Sequence, residues 1–218
     1  MMKRTILTMV LCVLSVWTMA QNSEEGREEN PLGWNVAVQG GAHFSAFENT
    51  KHGSFFDGID GHVAMSVGYD FSHGFGTRLE IGYAKNTSGT NVLESGQPLI
   101  LYSCKDVELF ADAIFNVSHL FSIERRTNFE VEAKLYAGAG VGFPDKGTRP
   151  NVSYYHMKDP KTAFAMRVGM IVEWHVSESW GLLADARATG FYDNFNGVDA
   201  GKGADLRFGL SLGAVYHF

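Results

Sequence analysis

From Trp34 onward the chain alternates between apolar and polar or small residues, a period of two that marks strands rather than helices. The last thirteen residues show it most plainly. Leu206, Phe208, Leu210, Leu212, Ala214, Tyr216 and Phe218 share one face, against Arg207, Gly209, Ser211, Gly213, Val215 and His217 on the other. The same reading predicts eight strands, at 34–46, 59–71, 75–85, 105–117, 129–143, 162–176, 180–191 and 205–218. Their apolar faces run Trp34 to Ala46, Ile59 to Phe71, Phe75 to Tyr83, Val107 to Val117, Phe129 to Phe143, Phe164 to Val176, Trp180 to Gly190 and Leu206 to Phe218, taking every second residue. None of these positions is charged. No helical period persists long enough to compete.

The opposite face carries Asp60, Asp70, Arg78, Glu80, Glu108, Asp112, Glu130, Glu132, Lys134, Arg167, Glu173, Asp185, Arg187 and Arg207. Geometry decides which face is inside. An eight-stranded barrel has an interior only just wide enough for side chains, so apolar faces this rich in Trp, Phe and Leu cannot all fill it. They must face lipid, with the charged and glycine-rich face turned inward, as in transmembrane barrels. Loop lengths agree: long connections are predicted at 47–58, 86–104, 144–161 and 192–204, short ones at 72–74 and 177–179, and a moderate one at 118–128. Aromatic residues gather at both strand ends. Trp34, Tyr69, Phe71, Phe115, Phe129, Trp174, Trp180, Tyr216 and Phe218 mark one rim; Phe44, Tyr83, Phe143, Phe164 and Phe191 mark the other. The predicted fold is all-β, an eight-stranded antiparallel up-and-down transmembrane β-barrel whose last strand closes against the first and leaves no edge.

Ahead of the barrel, Met1 to Ala20 combine Lys3 and Arg4, an apolar run from Ile6 to Val16 and a Thr-Met-Ala end, the parts of a cleaved secretory signal. Residues 21–33 form a polar, acidic leader, "NSEEGREENP" at its centre, expected to be disordered. The expected organisation is a signal peptide over 1–20, this leader, and a barrel over 34–218. Removing the signal takes two of the 18 basic residues, leaving 16 against 24 acidic ones and a formal charge of −8. That balance argues against a nucleic-acid partner. Cys12 departs as well, so Cys104 is the one cysteine of the mature chain and an intramolecular disulfide is ruled out.

Ala111-Asp-Ala-Ile-Phe-Asn-Val-Ser-His-Leu-Phe-Ser122, followed by Leu135-Tyr-Ala-Gly-Ala-Gly-Val-Gly-Phe143, resembles the fourth strand, turn and fifth strand of small OmpA-like outer-membrane barrels, and Asp193-Asn-Phe-Asn196 is similar as well. The resemblance covers the chain from about Trp34 and implies a bacterial outer-membrane location, contact with outer-membrane lipid and lipopolysaccharide, and insertion by the barrel-assembly machinery. Tyr216 and Phe218 would then be the C-terminal assembly signal. The peptidoglycan-binding domain of OmpA itself is not expected here.

For function, the inward charges are the strongest constellation: Arg78, Glu80, Glu108, Asp112, Glu130, Glu132, Lys134, Arg167, Glu173, Asp185, Arg187 and Arg207. They would form either an ion pathway with a switchable gate or a plug of paired charges, since buried charges need partners; the narrow lumen favours the plug. Inward-facing His43, His62, His175 and His217 show no standard metal spacing and are expected to act as lumenal hydrogen-bonding groups. His43-Phe-Ser45 and His52-Gly-Ser54 are the nearest approach to the His/Ser pair of outer-membrane lipid A deacylases, but neither is placed on the lipid-facing wall, where lipid chemistry needs a nucleophile. Asp193 to Gly197 lacks calcium-loop spacing, Gly201-Lys-Gly203 lacks the rest of a phosphate loop, and Asn151-Val-Ser is a sequon in form only. No cofactor or metal is expected. The surface holds one further candidate, the basic and aromatic loop 144–161, whose Arg149, Tyr154, Tyr155 and Lys158 have the composition of a recognition surface or, equally, of a loop that steadies lipopolysaccharide. The expected role is structural or surface-interaction, without catalysis, with a narrow pore or a lipid-modifying enzyme as alternatives.

Overall fold

In the computed structural model, which describes residues 32–46, 59–90, 100–120, 130–145, 160–192, 195 and 204–218, eight strands follow one another in chain order. They are β1 (Gly33–Ala46), β2 (Ile59–Ser72), β3 (Phe75–Thr90), β4 (Ile100–Asn116), β5 (Glu130–Pro144), β6 (Ala163–His175), β7 (Trp180–Tyr192) and β8 (Ala204–His217), with one helical turn, α1 (Val117–Leu120), after β4. Each strand pairs antiparallel with its neighbours, and β8 returns to β1, closing the barrel. Closure leaves every strand with two partners, which is what a lipid environment demands of a backbone.

The register fixes the barrel's shape. A circuit of paired residues begun at Trp34 passes through Tyr69, Thr77, Ala113, Ala137, Val168, Ala188 and Phe208 and returns to β1 at Phe44, ten residues further on. For eight strands that stagger corresponds to a tilt of about 40°, and the wall from Trp34 to Phe44 then stands about 25 Å tall, the height of an outer-membrane barrel's apolar band.

Side chains divide by parity, as the alternation predicts. Leu79, Met166, Leu210 and Leu212 on the outer face are between 64% and 71% exposed, whereas the inner-face charges, Arg78, Glu80, Asp112 and Arg167 among them, are almost wholly buried. A soluble protein would show the reverse. The inner rim is ringed by edge-to-face aromatic contacts: Trp34 with Tyr69, Tyr69 with Phe71, Phe75 with Phe115, Trp180 with Tyr216 and Tyr216 with Phe218, their centroids 5.0–5.4 Å apart. The two-residue β2–β3 and four-residue β6–β7 turns lie at this end, with the longer β4–β5 connection, the start of β1 and the end of β8; the end that holds the two short turns faces the periplasm. Phe129 of the predicted girdle lies outside the described residues.

Two expectations are corrected. β3 and β4 do not stop at 85 and start at 105: they stay paired from Phe75↔Phe115 to Thr90↔Ile100, so the predicted 86–104 loop shrinks to 91–99. The apolar alternation ends at Tyr83 because the ribbon leaves the lipid there, and hydrogen bonding continues without it. Phe191 does not belong to the outer girdle. It is fully buried on the lumen face and stacks on Phe195, with centroids 4.0 Å apart; Tyr192, 70% exposed, is the residue that faces out. The signal and leader segments fall outside the described residues.

Candidate functional site

The lumen is filled in levels. At mid-height three arginines face three carboxylates, and their formal charges cancel. Arg167 of β6 grips Asp112 of β4 with two bonds, Nε to Oδ1 at 2.8 Å and Nη2 to Oδ2 at 2.6 Å, and donates Nη1 to Glu80 Oε1 at 2.5 Å. Arg78 donates Nε to Asp112 Oδ2 at 2.8 Å. Arg187 bridges Glu80 at 2.7 Å and Asp185 at 2.6 Å. Tyr136 donates its hydroxyl to Asp185 at 2.8 Å, and Gln39 donates to Glu80 at 2.8 Å. The guanidinium of Arg78 also lies 4.5 Å from the Tyr136 ring, and that of Arg167 lies 4.1 Å from the Phe110 ring. Tyr136 reaches this position because β6 carries Gly169 beside it: a Cβ there would collide with the phenol ring.

Nearer the outside, Arg207 donates to Glu108 and, at 3.2 Å, to Asn86 Oδ1, and its guanidinium stands 3.6 Å from Asp106. Asn86 in turn donates to Asp106. The same Asn86 oxygen faces His43 Nε2 at 3.1 Å and accepts from the Ser45 hydroxyl at 3.3 Å. Asp60 accepts from Thr87 and pairs with Lys85 at 3.3 Å. Phe110, Ala163, Ala165, Phe191 and Phe195 close this end as an apolar cap. Phe195 comes from the Asp193-Asn-Phe-Asn196 stretch and packs inside the lumen.

At the periplasmic mouth Lys134 donates to Glu173 Oε2 at 2.7 Å and sits 3.2 Å from Glu132. His217 Nε2 lies 2.6 Å from Glu173 Oε1, and Asn35 donates to Asp70 at 2.9 Å. Between this level and the central network, Ala37, Ile171, Leu183 and Val215 pack with the Tyr136 ring and the partly buried Ile114. They form an apolar cluster inside the bore, supplied by β1 and β4 to β8.

Eleven of the twelve predicted lumen charges are thus inward and buried or nearly so; the Glu130 side chain lies outside the described residues, as do Arg149, Tyr154, Tyr155 and Lys158. The pairing partners were not legible from spacing, because Arg167 and Asp112 reach each other past an intervening strand. Asp106 and Asp205, both buried, extend the polar lumen at its outer end; they are absent from the predicted set although parity beside Val107 and Leu206 places both on the inner face. His43 and His62 are near each other, with ring centroids 5.7 Å apart. His43 and Ser45 both engage Asn86, so they do not form a nucleophile–base pair. The structure does show one such contact, His62 Nε2 to Ser211 Oγ at 2.7 Å. It points into the barrel beside a cavity of about 10 Å³, room for one water and no substrate. Cys104 is buried on the inner face as a free thiol.

Similarity to known proteins follows the same lines. Neisserial surface protein A (NspA) has 16% identical residues over 87% of this chain and all of its own, with a TM-score of 0.54. The outer membrane protein OprG from Pseudomonas aeruginosa has 11% identity over 87% of this chain and 97% of its own, also at 0.54. At these identities the likeness is one of fold. Comparison with curated protein sequences gives no match. The outer membrane protein beta-barrel domain family matches residues 8–218. A closed, lipid-facing, eight-stranded barrel matched over nearly its whole length therefore belongs to that family, and the protein is one of the bacterial outer membrane.

Proposed function

We propose that this protein is a structural and surface-interaction barrel of the outer membrane, with a lumen that neither conducts nor catalyses and with outward loops that meet the surroundings. The observation that carries this reading is a bore packed with side chains, in which the apolar cluster of Ala37, Ile171, Leu183, Val215, Ile114 and the Tyr136 ring sits between two ion-paired levels. An ion crossing it would lose its water without gaining partners, at a cost of several kcal/mol. The ion-paired levels on either side support the plug: Arg167 and Arg187 each bond two carboxylates, Arg78 bonds Asp112, and Lys134 pairs with Glu173 and Glu132, so opening a path means breaking buried pairs.

Planar bilayers test this. The purified barrel is expected to give no discrete conductance steps, and steady unitary currents that respond to changes at Arg167 or Arg187 would establish the pore instead. Lipid A mass should be unchanged by expression of the protein; a deacylated or otherwise altered species would establish an enzyme.

Lipopolysaccharide and outer-membrane lipid are the proposed surroundings of the wall, and the barrel-assembly machinery the proposed partner during insertion, with Tyr216 and Phe218 as its signal. Support for the signal is positional: both aromatics lie at the periplasmic rim, and the Phe218 amide donates to the Trp34 carbonyl at 3.0 Å. For an extracellular ligand the proposed contacts are Arg149, Tyr154, Tyr155 and Lys158. Replacing all four with alanine should leave heat-modifiable migration intact while lowering adhesion of expressing cells at least severalfold. Adhesion that survives this change but falls when 47–58 or 193–203 is exchanged would place the contact elsewhere.

A further inference from the structure

Glu173, His175 and His217 converge at the periplasmic mouth although they come from β6 and β8, which are not neighbours. Glu173 and His175 are two apart on one strand and so share its inner face. His217 reaches them because the second residue of β7, between them, is Gly181: a Cβ there would fall 2.8 Å from Glu173 Oε1 and 2.9 Å from Val215. One donor atom from each of the three lies within 4.8 Å of the other two. His217 Nε2 is 2.6 Å and His175 Nε2 3.7 Å from the same Glu173 Oε1, and the two imidazole rings are 5.5 Å apart and tilted by 35°. Donors bound to one zinc ion at about 2.0–2.1 Å stand about 3.4 Å apart in a tetrahedron, so only small rotations separate this arrangement from a coordination shell.

We propose that Glu173, His175 and His217 form a site for a divalent first-row transition-metal ion, Zn²⁺ in the first instance. Three independent features support it. The His175 side chain is 93% buried, and its Nε2 has no hydrogen-bond partner among the described residues; the nearest acceptors, Glu132 and Glu173, stand 3.5 and 3.7 Å away. A buried ring nitrogen held only at these long ion-pair distances is under-satisfied, and a metal would satisfy it. Next, among the described residues the carboxylates Glu132, Glu173 and Asp70 outnumber Lys134, the one lysine beside them, which favours a cation at the three donor atoms. Lys134 does not compete for the ligating atom, since it holds Glu173 by Oε2 and leaves Oε1 to the metal, the orienting role of an outer-shell partner. Finally, His175 and His217 line a cavity of about 30 Å³ at the mouth, enough for a water to complete the shell. Two imidazoles and one carboxylate suit Zn²⁺, Ni²⁺ or Cu²⁺; Mg²⁺ and Ca²⁺ prefer oxygen alone.

The test uses the full chain, refolded in detergent and stripped with chelator, with Co²⁺ as the spectroscopic probe and Zn²⁺ as competitor. One equivalent of Co²⁺ should give the visible d–d bands of a four- or five-coordinate site, and Zn²⁺ should abolish them. His175→Gln should remove the bands and weaken Zn²⁺ binding at least tenfold. Since His175 Nε2 makes only long ion-pair contacts, to Glu132 and Glu173, this variant should fold, which heat-modifiable migration would verify. His217→Gln should act likewise. Alanine at His52, His119 and His156 together should change nothing. Wild-type protein without bands at saturating Co²⁺, or bands that persist in both His175→Gln and His217→Gln, would overturn the proposal.

Discussion

Arg167→Ala is expected to cost about 3–5 kcal/mol of folding free energy, because it strips partners from two buried carboxylates at once. Asp112 would lose its bidentate partner and keep one bond from Arg78, while Glu80 would keep Arg187 and Gln39. The Phe110 ring would lose the guanidinium 4.1 Å away, and the space left is closed off by packed neighbours. Arg167→Lys should recover part of the loss, since a single ammonium satisfies one carboxylate but not the paired geometry of a guanidinium. Urea unfolding in lipid vesicles, followed by tryptophan emission, measures both. A loss below about 1 kcal/mol for the alanine variant would mean that water screens these charges as it does at a protein surface, and the plug would have to be abandoned.

One residue along, the requirement inverts. Val168 faces the lipid, 58% exposed, five of eight steps up the pairing circuit from Trp34 to Phe44 and hence near the middle of the apolar band. Leu212 pairs with Gly40, midway between the rims on β1, and is 71% exposed. Arginine at either position should cost about 2–4 kcal/mol, whereas Trp34→Arg or Phe218→Arg, at the periplasmic girdle, should cost about 0–1. The same vesicle unfolding measurement applies. Equal sensitivity at both depths is the outcome that contradicts this placement of the membrane.

Why could so much of the wall be read from the chain and so little of the interior? Alternation assigns a face to Val168 and to Arg167 without any knowledge of the partner strand, because side-chain direction in a strand depends only on parity. Strand ends are harder. The β3–β4 ribbon runs on to Thr90 and Ile100 after its apolar residues cease, and Phe191, aromatic near a strand end like a girdle residue, has the parity of the lumen face. Contacts across the bore need the stagger of the whole barrel and the glycines that thin its wall. Arg167 finds Asp112 two strands away, and His217 finds Glu173 past Gly181; neither meeting has a spacing in sequence. The inner and outer faces therefore differ in kind. One is a local property of each strand, and the other belongs to the closed barrel.

The β1–β8 seam has a kinetic consequence. It joins Asn35 to His217 and Ala46 to Leu206, the most distant pairings along the chain, through as continuous a ladder as any between sequential strands. Contacts of such separation are slow to form, because the loop they close includes nearly the whole chain. Until they form, β1 and β8 each carry an unsatisfied edge, and in hydrocarbon each open backbone group costs several kcal/mol. Strand-by-strand insertion is then uphill at every stage but the last. The barrel's persistence, once formed, rests on the same step: to come apart in the bilayer it must reopen a seam in a solvent that offers the exposed amides no substitute, so its lifetime is set by an unfolding barrier far more than by the net stability its packing provides.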